Sequence, residues 1–126
     1  MNQAEMLKER TKRFALENIK LLRTLPRSDE ARVIGRQLFR SSTSIAANYR
    51  AVCRARSKAE FIAKVGLVVE EADETVFWIE LLRDGRIVSG RDLDALLSEA
   101  KELLAIFAAS QITAKRTAPK QSSMLK

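Results

Sequence analysis

The chain has no histidine, one cysteine, four glycines and two prolines in 126 residues. Each scarcity excludes something. Without histidine there is no imidazole general acid or base, no Ser-His or Cys-His nucleophile pair, and little prospect of a zinc site. The single cysteine, Cys53, excludes an internal disulfide framework and any cysteine-cluster metal site. So few glycines and prolines argue against a turn-rich all-β fold. No run approaches the ~20 apolar residues needed to cross a bilayer. Met1 to Glu5 lacks the basic-then-apolar layout of a signal peptide. The expected compartment is the cytoplasm, with which one unpaired thiol agrees.

What the chain does have is helical periodicity. Its length suits one domain, able to bury roughly two-thirds of its unfolded surface. Four segments place apolar residues at i, i+3, i+4 and i+7. The spacing predicts a first helix from about Ala4 to Leu25, with the stripe Leu7, Phe14, Asn18, Leu21 and Leu25 and with Pro26 ending it. A second is predicted from about Asp29 to Ala55, capped by Ser28, with the stripe Ile34, Leu38, Ser41, Ile45, Asn48/Tyr49 and Val52. Phe39 and Gly35 lie beside that line. A third is predicted from Ser57 to Asp84, opened by a Ser57/Glu60 capping box and closed by a left-handed Gly85. Its seam is Phe61, Val65, Val68, Ala72, Thr75, Ile79 and Leu82. A fourth is predicted from Arg91 to Ala114, with Ser89 and Asp92 at its start and a stripe of Leu93, Leu96, Ala100, Leu103, Leu104 and Phe107. Short connections force antiparallel neighbours. The expected fold is all-α, an antiparallel up-down-up-down four-helix bundle over residues 1–116, followed by a disordered basic tail over 117–126.

The third helix has more apolar surface than one bundle needs. Its core arc spans about 100°, as usual for a bundle helix. Leu67, Trp78 and Leu81 fall on the far flank and widen that arc to roughly 220°. Either Trp78 caps one edge of the core, or this flank is a subunit interface, where tryptophan is favoured. The remaining face is small and acidic, and its Gly66 permits close approach of another element. The candidate interface is therefore Leu67, Trp78, Leu81 and Gly66.

Charge is segregated. Residues 1–56 hold thirteen Lys/Arg and five Asp/Glu, a net +8, whereas residues 57–126 hold ten and eleven, a net −1. On the second helix Arg32, Arg36 and Arg40 follow one another at intervals of four, with Arg50 and Arg54 two heptads beyond Arg36 and Arg40. Arg56 and Lys58 extend the ridge, and Arg13 and Lys20 add a row on the first helix. Arginine is the planar, bidentate phosphate binder, and such a ridge is the footprint of a nucleic-acid surface. The competing readings are a solvated face, or a ridge that meets the acidic third helix of a neighbouring subunit. Among the aromatics, Tyr49 is read as the one near the arginines. Base stacking is therefore not indicated, and backbone contact with a steep salt dependence is expected.

Enzyme chemistry finds no support. A di-iron bundle needs Glu-x-x-His on two helices, and there is no histidine. Adjacent carboxylates in Glu70-Glu71-Ala72-Asp73-Glu74 point to different faces, which is a poor start for a cation site. Cys53 among arginines would have a lowered pKa if exposed, but it has no partner base. The expectation is no catalysis, no metal and no cofactor.

The stretches Ser44-Ile45-Ala46-Ala47-Asn48-Tyr49-Arg50-Ala51, Arg56-Ser57-Lys58-Ala59-Glu60-Phe61, Glu70-Glu71-Ala72-Asp73-Glu74-Thr75 and Trp78-Ile79-Glu80-Leu81-Leu82 resemble the bacterial four-helix bundle protein family. Its members include proteins encoded in intervening sequences of large-subunit ribosomal RNA genes, and the accessory variability determinant proteins of diversity-generating retroelements are similar in fold. The resemblance covers about forty residues of the second and third helices. It implies a homopentameric ring, a basic surface suited to RNA or DNA, and no known enzymatic activity. It leaves a retroelement or other protein partner open. Ser44, Asn48 and Tyr49 match the motif and read first as packing and register residues, since one buried Asn can fix a bundle's register. Together these readings give a non-catalytic homo-oligomer that binds nucleic acid. The alternative is a scaffold whose basic ridge pairs with acidic faces of neighbouring subunits or of a partner protein.

Overall fold

The computed structural model describes residues 1–117 and forms four helices: α1 (Gln3–Leu22), α2 (Asp29–Val52), α3 (Lys58–Asp84) and α4 (Arg91–Thr117). The expected tail lies outside the described residues, except for Thr117, which closes α4. Each helix packs on its two neighbours in the order α1, α2, α3, α4 and back to α1, and across the diagonals the backbones stay apart while side chains meet in the core, as Tyr49 of α2 and Phe107 of α4 do. This is the antiparallel bundle that the apolar stripes require. The α2–α3 and α3–α4 seams are broad, and the α1–α4 seam is the thinnest.

Three helices begin on side-chain caps. Asn2 Oδ1 accepts from the Glu5 amide at 2.8 Å, Ser28 Oγ from Ala31 at 3.2 Å, and Ser57 Oγ from Glu60 at 3.0 Å. Each satisfies an amide that has no partner within its own helix. At Ser57 the Glu60 carboxylate turns to Lys64, 2.8 Å away. α4 starts directly after Gly90, whose carbonyl accepts from Asp94 at 3.1 Å, so Ser89 lies one residue outside the cap position. Gly90 has φ 119, a conformation L-residues rarely adopt.

The helix ends depart from the sequence expectation. α1 stops at Leu22, four residues before Pro26. Bonds from Thr24 to Leu21 and from Leu25 to Leu22 tighten the chain there, and the Thr24 hydroxyl donates to the Leu21 carbonyl at 2.7 Å. α2 stops at Val52, and bonds from Arg54 to Ala51 and from Ala55 to Val52 start the turn. Arg54 therefore belongs to the α2–α3 connection. α3 closes with the Ile87 amide on the Leu82 carbonyl at 2.9 Å and the Arg86 amide on Arg83 at 3.0 Å, the paired bonds of a Schellman motif. The left-handed residue of that motif is Arg86 (φ 56), while Gly85 is right-handed (φ −78). The expected glycine is one position early.

The core contains Phe14, Leu38, Ile45, Val65, Val68, Ile79, Leu82, Leu93, Leu103 and Phe107. Phe61 and Leu104, expected within it, are half-buried and pack on its edge. Thr11, Asn18, Ser41, Ser42 and Thr75 are buried polar residues. Asn18 donates from Nδ2 to the Phe14 carbonyl at 2.8 Å. The fully buried asparagine is thus Asn18, whereas Asn48 is only half-buried. The Ser41 and Thr75 hydroxyls meet at 2.8 Å across the α2–α3 seam and join two stretches of poor helix formers.

A non-glycine residue in the left-handed region carries a steric cost, partly offset by the extra freedom glycine brings to the unfolded chain. Arg86→Gly should raise stability by about 0.5–1 kcal/mol, visible as an increase of a few degrees in Tm. An unchanged Tm would show that the Schellman position is not under strain.

Candidate nucleic-acid interface

The stripe of α2 turns Leu38, Ile45, Tyr49 and Val52 inward, which leaves Arg32, Arg36, Arg40 and Arg50 exposed on the opposite side. Arg54, Arg56 and Lys58 continue beyond it through the α2–α3 turn, and all three are exposed. Arg13 and Lys20 are exposed elsewhere, lining a groove of about 620 Å³ between α1 and α4 together with Arg10, Glu17, Asp92 and Glu99. The nine candidate cations therefore form two surfaces, one on α2 and its following turn, the other along the α1–α4 seam.

They also differ in what they bind. Arg40 reaches across to α3. Its guanidinium pairs with Glu71 at 3.2 Å and, more closely, with Glu74, whose carboxylate also accepts from the Trp78 indole N–H at 3.1 Å. Arg40 is thus an interhelical clasp. Arg32 pairs with Asp29 at 3.2 Å and Lys20 with Glu17 at 3.2 Å, each along its own helix. Arg56 lies 3.7 Å from Glu60, and Lys58 Nζ donates to Thr117 Oγ1 at 3.2 Å. Among the described residues Arg13, Arg36, Arg50 and Arg54 meet no carboxylate within ion-pair distance.

Several relevant residues had only a tertiary signal. The Lys58–Thr117 bond brings the end of α4, with exposed Lys115 and Arg116, to the turn that carries Arg54 and Arg56. The up-down order of the helices could have indicated that neighbour. Arg10 grips Glu99 through two bonds of 2.7 Å and holds the thin α1–α4 seam. Tyr49, the aromatic read beside the arginines, is buried at 7% exposure with its ring 5.2 Å from Phe107. Burial, followed by the Cys53 thiol, pushes its phenol pKa up. Cys53 itself is half-buried.

On α3, Leu67 is 51% exposed, and Trp78 and Leu81 are half-buried. Trp78 packs on the core edge, and Phe77, 50% exposed, meets its ring edge-on at 4.9 Å. The sequence reading omitted Phe77. Gly66 faces a different neighbour: a Cβ built on it would lie 2.8 Å from Gln111 Nε2 of α4. Glu71 and Glu74 turn to Arg40, and among the described residues no group of three metal-ligating side chains converges.

Hydrogen bonding to Arg40 lowers the Glu74 pKa below its ordinary 4.5; partial burial opposes that, and Trp78 adds to it. A lowered carboxylate pKa stabilises the fold above the unfolded value, and the gain disappears as pH falls through the folded one. Because the pair is open to solvent, Arg40→Ala should cost about 0.5–1 kcal/mol at pH 7. The difference from wild type should shrink below pH 4.5, measured by urea unfolding at both pH values. A penalty that persists in acid would show that Arg40 acts by packing. Gly66→Ala should gain up to about 1 kcal/mol of helix propensity, because only the flexible end of Gln111 must move. Its oligomeric state in light scattering should match wild type; a change would place Gly66 between subunits.

The family described as 23S rRNA-intervening sequence protein matches residues 5–109. No curated protein matches the chain. A crystal structure of a protein with unknown function from the S23 ribosomal protein family of Bacteroides thetaiotaomicron is similar, with TM-score 0.78 and 27% identity over 87% of this chain and 98% of that one. Its likeness covers nearly all of the bundle, and the family match includes both the α2 ridge and the α3 flank. The chain belongs to the 23S rRNA-intervening sequence protein family.

Proposed function

We propose that this protein is a non-catalytic, homo-oligomeric bundle that binds nucleic acid through the outer face of α2 and the α2–α3 turn. The observation that carries this reading is the set of exposed guanidiniums at Arg36, Arg50 and Arg54, which meet no carboxylate among the described residues. Uncompensated arginines on one surface attract phosphate and can hold it with two parallel bonds. The family description names an intervening sequence of ribosomal RNA, so RNA is the first ligand to test. The exposed Phe77 beside Trp78, and the exposed Leu67 about three turns away on the same helix, support self-association, since apolar side chains on a rim of acidic residues gain by being covered. The number five for the ring comes from the family resemblance.

The Arg40 clasp supports a second reading. It shows that this chain's ridge arginines and its α3 carboxylates are complementary. Arg36 and Arg50 of one copy could meet Glu70 and Asp73 of another in the same way, making the protein a scaffold.

Labelled RNA and DNA titrated at two salt concentrations separate the readings. Under the first, affinity falls steeply with salt, and Arg36→Ala and Arg50→Ala each flatten the log–log slope by about one phosphate contact. No binding at low salt removes that reading. Under the second, the same variants lower the molar mass in light scattering. A monomeric wild type would refute the oligomer.

A further inference from the structure

We infer that the α2 face binds an unpaired nucleic-acid strand, with Phe39 as the platform on which a base stacks. The inference rests on the nucleic-acid reading above and specifies the form of its ligand. Phe39 is 49% exposed in a helix whose inward stripe is complete without it. Leu38 and Ser42 on either side of it are buried, so the backbone is well placed while the phenyl ring remains in water.

Its surroundings on α2 are cationic. Arg36 precedes it by three residues, a direct neighbour on a helical surface, and Arg32 lies one further turn back. Helical side chains lean toward the N-terminus, so the phenyl covers the turn that carries Arg36. Beyond it come Thr43, Ala46 and Ala47, which are short, and then Arg50. The Thr43 hydroxyl is occupied by the Phe39 carbonyl at 2.7 Å. The ring thus stands between two groups of guanidiniums, Arg32 and Arg36 on one side and Arg50 on the other. Arg32 and Arg50 are about 27 Å apart along the axis at 1.5 Å per residue. A cationic groove or ridge with an exposed aromatic is the arrangement that single strands use, since phosphates follow the charges and every base has a face to stack.

A second copy of this chain is the other candidate occupant. The local charge disfavours pairing the face with itself, because a symmetric contact would bring two arginine-lined faces together. A paired duplex satisfies the arginines but presents no free base to the ring. The unpaired strand accounts for both features.

The test measures anisotropy with a labelled twelve-nucleotide pyrimidine strand, an abasic strand of the same length and a duplex. The proteins are wild type, Phe39→Ala, Phe39→Trp and Arg36→Ala. Because Phe39 is half-exposed, its truncation leaves the core intact. Phe39→Ala should weaken the pyrimidine strand roughly tenfold without changing the salt slope, the duplex affinity or the elution volume. Phe39→Trp should restore binding, and the abasic strand should bind wild type as weakly as Phe39→Ala binds the normal one. Arg36→Ala should instead lower the salt slope by about 0.7. Equal single-strand affinity of wild type and Phe39→Ala, or an equal loss on the duplex, overturns the stacking role and leaves nucleic-acid binding standing. A shift in elution volume for Phe39→Ala assigns the ring to a subunit contact and overturns the inference. If wild type binds none of the probes, both readings fail.

Discussion

α3 must bury its apolar seam against two neighbours at once, and the rest of the bundle follows from that. Val68, Ala72, Ile79 and Leu82 are completely buried along it. One side of the seam closes on α2, where Ser41 and Thr75 join their hydroxyls. The other closes on α4, where Gln111 lies over Gly66. With both flanks occupied, α1 completes the bundle from the diagonal position, its backbone lying close to those of α2 and α4. Its contact with α4 is thin, and the two-bond Arg10–Glu99 pair stands where apolar packing is sparse. The outward side of α3 gains nothing from this arrangement, so Leu67 and Phe77 remain in water.

The same constraint distributes the charge. Committing the stripe of α2 to α1 and α3 sends its arginines outward, because residues four apart share a face. The sequence concentrates positive charge in the first half and carboxylates in the second, and the helices place the two side by side. Part of the charge is thereby neutralised inside the chain, as at Arg40. The remainder, at Arg36, Arg50 and Arg54, stays as a field at the surface. A function based on that field needs no catalytic group. It needs a partner with closely spaced negative charge, and phosphate backbones and the acidic face of another copy both meet that description. The exposed ring of Phe39 distinguishes the two, because it favours a ligand with a flat apolar face.

The elements were legible because each helix repeats its apolar residues at helical spacing over about four turns or more. The exits were less legible. A glycine near a helix end suggests a left-handed residue, yet the Schellman bonds at Arg86 placed that conformation one position later. Pro26 suggested a stop, but the chain had already turned at Leu22, where the Thr24 hydroxyl competes for a carbonyl. Ends depend on where a few hydrogen bonds close, and periodicity carries no information about that.

The sequence alone determined the helical class, the inward stripes, the charge polarity between the two halves and the absence of imidazole chemistry. These are properties of residue type and spacing within one segment. Only the tertiary structure decided which cations are spent within the chain, which aromatic faces water and which flank Gly66 serves. Tyr49 and Phe39 are both aromatic and ten residues apart on one helix, each directly before an arginine, with Tyr49 on the inward stripe and Phe39 beside it. Packing against Phe107 took Tyr49 inside and left Phe39 out. Arg40 resembles Arg36 in sequence until α3 brings Glu71 and Glu74 to it from more than thirty positions away. Such partnerships depend on distance in space, which residue spacing along a single helix does not encode.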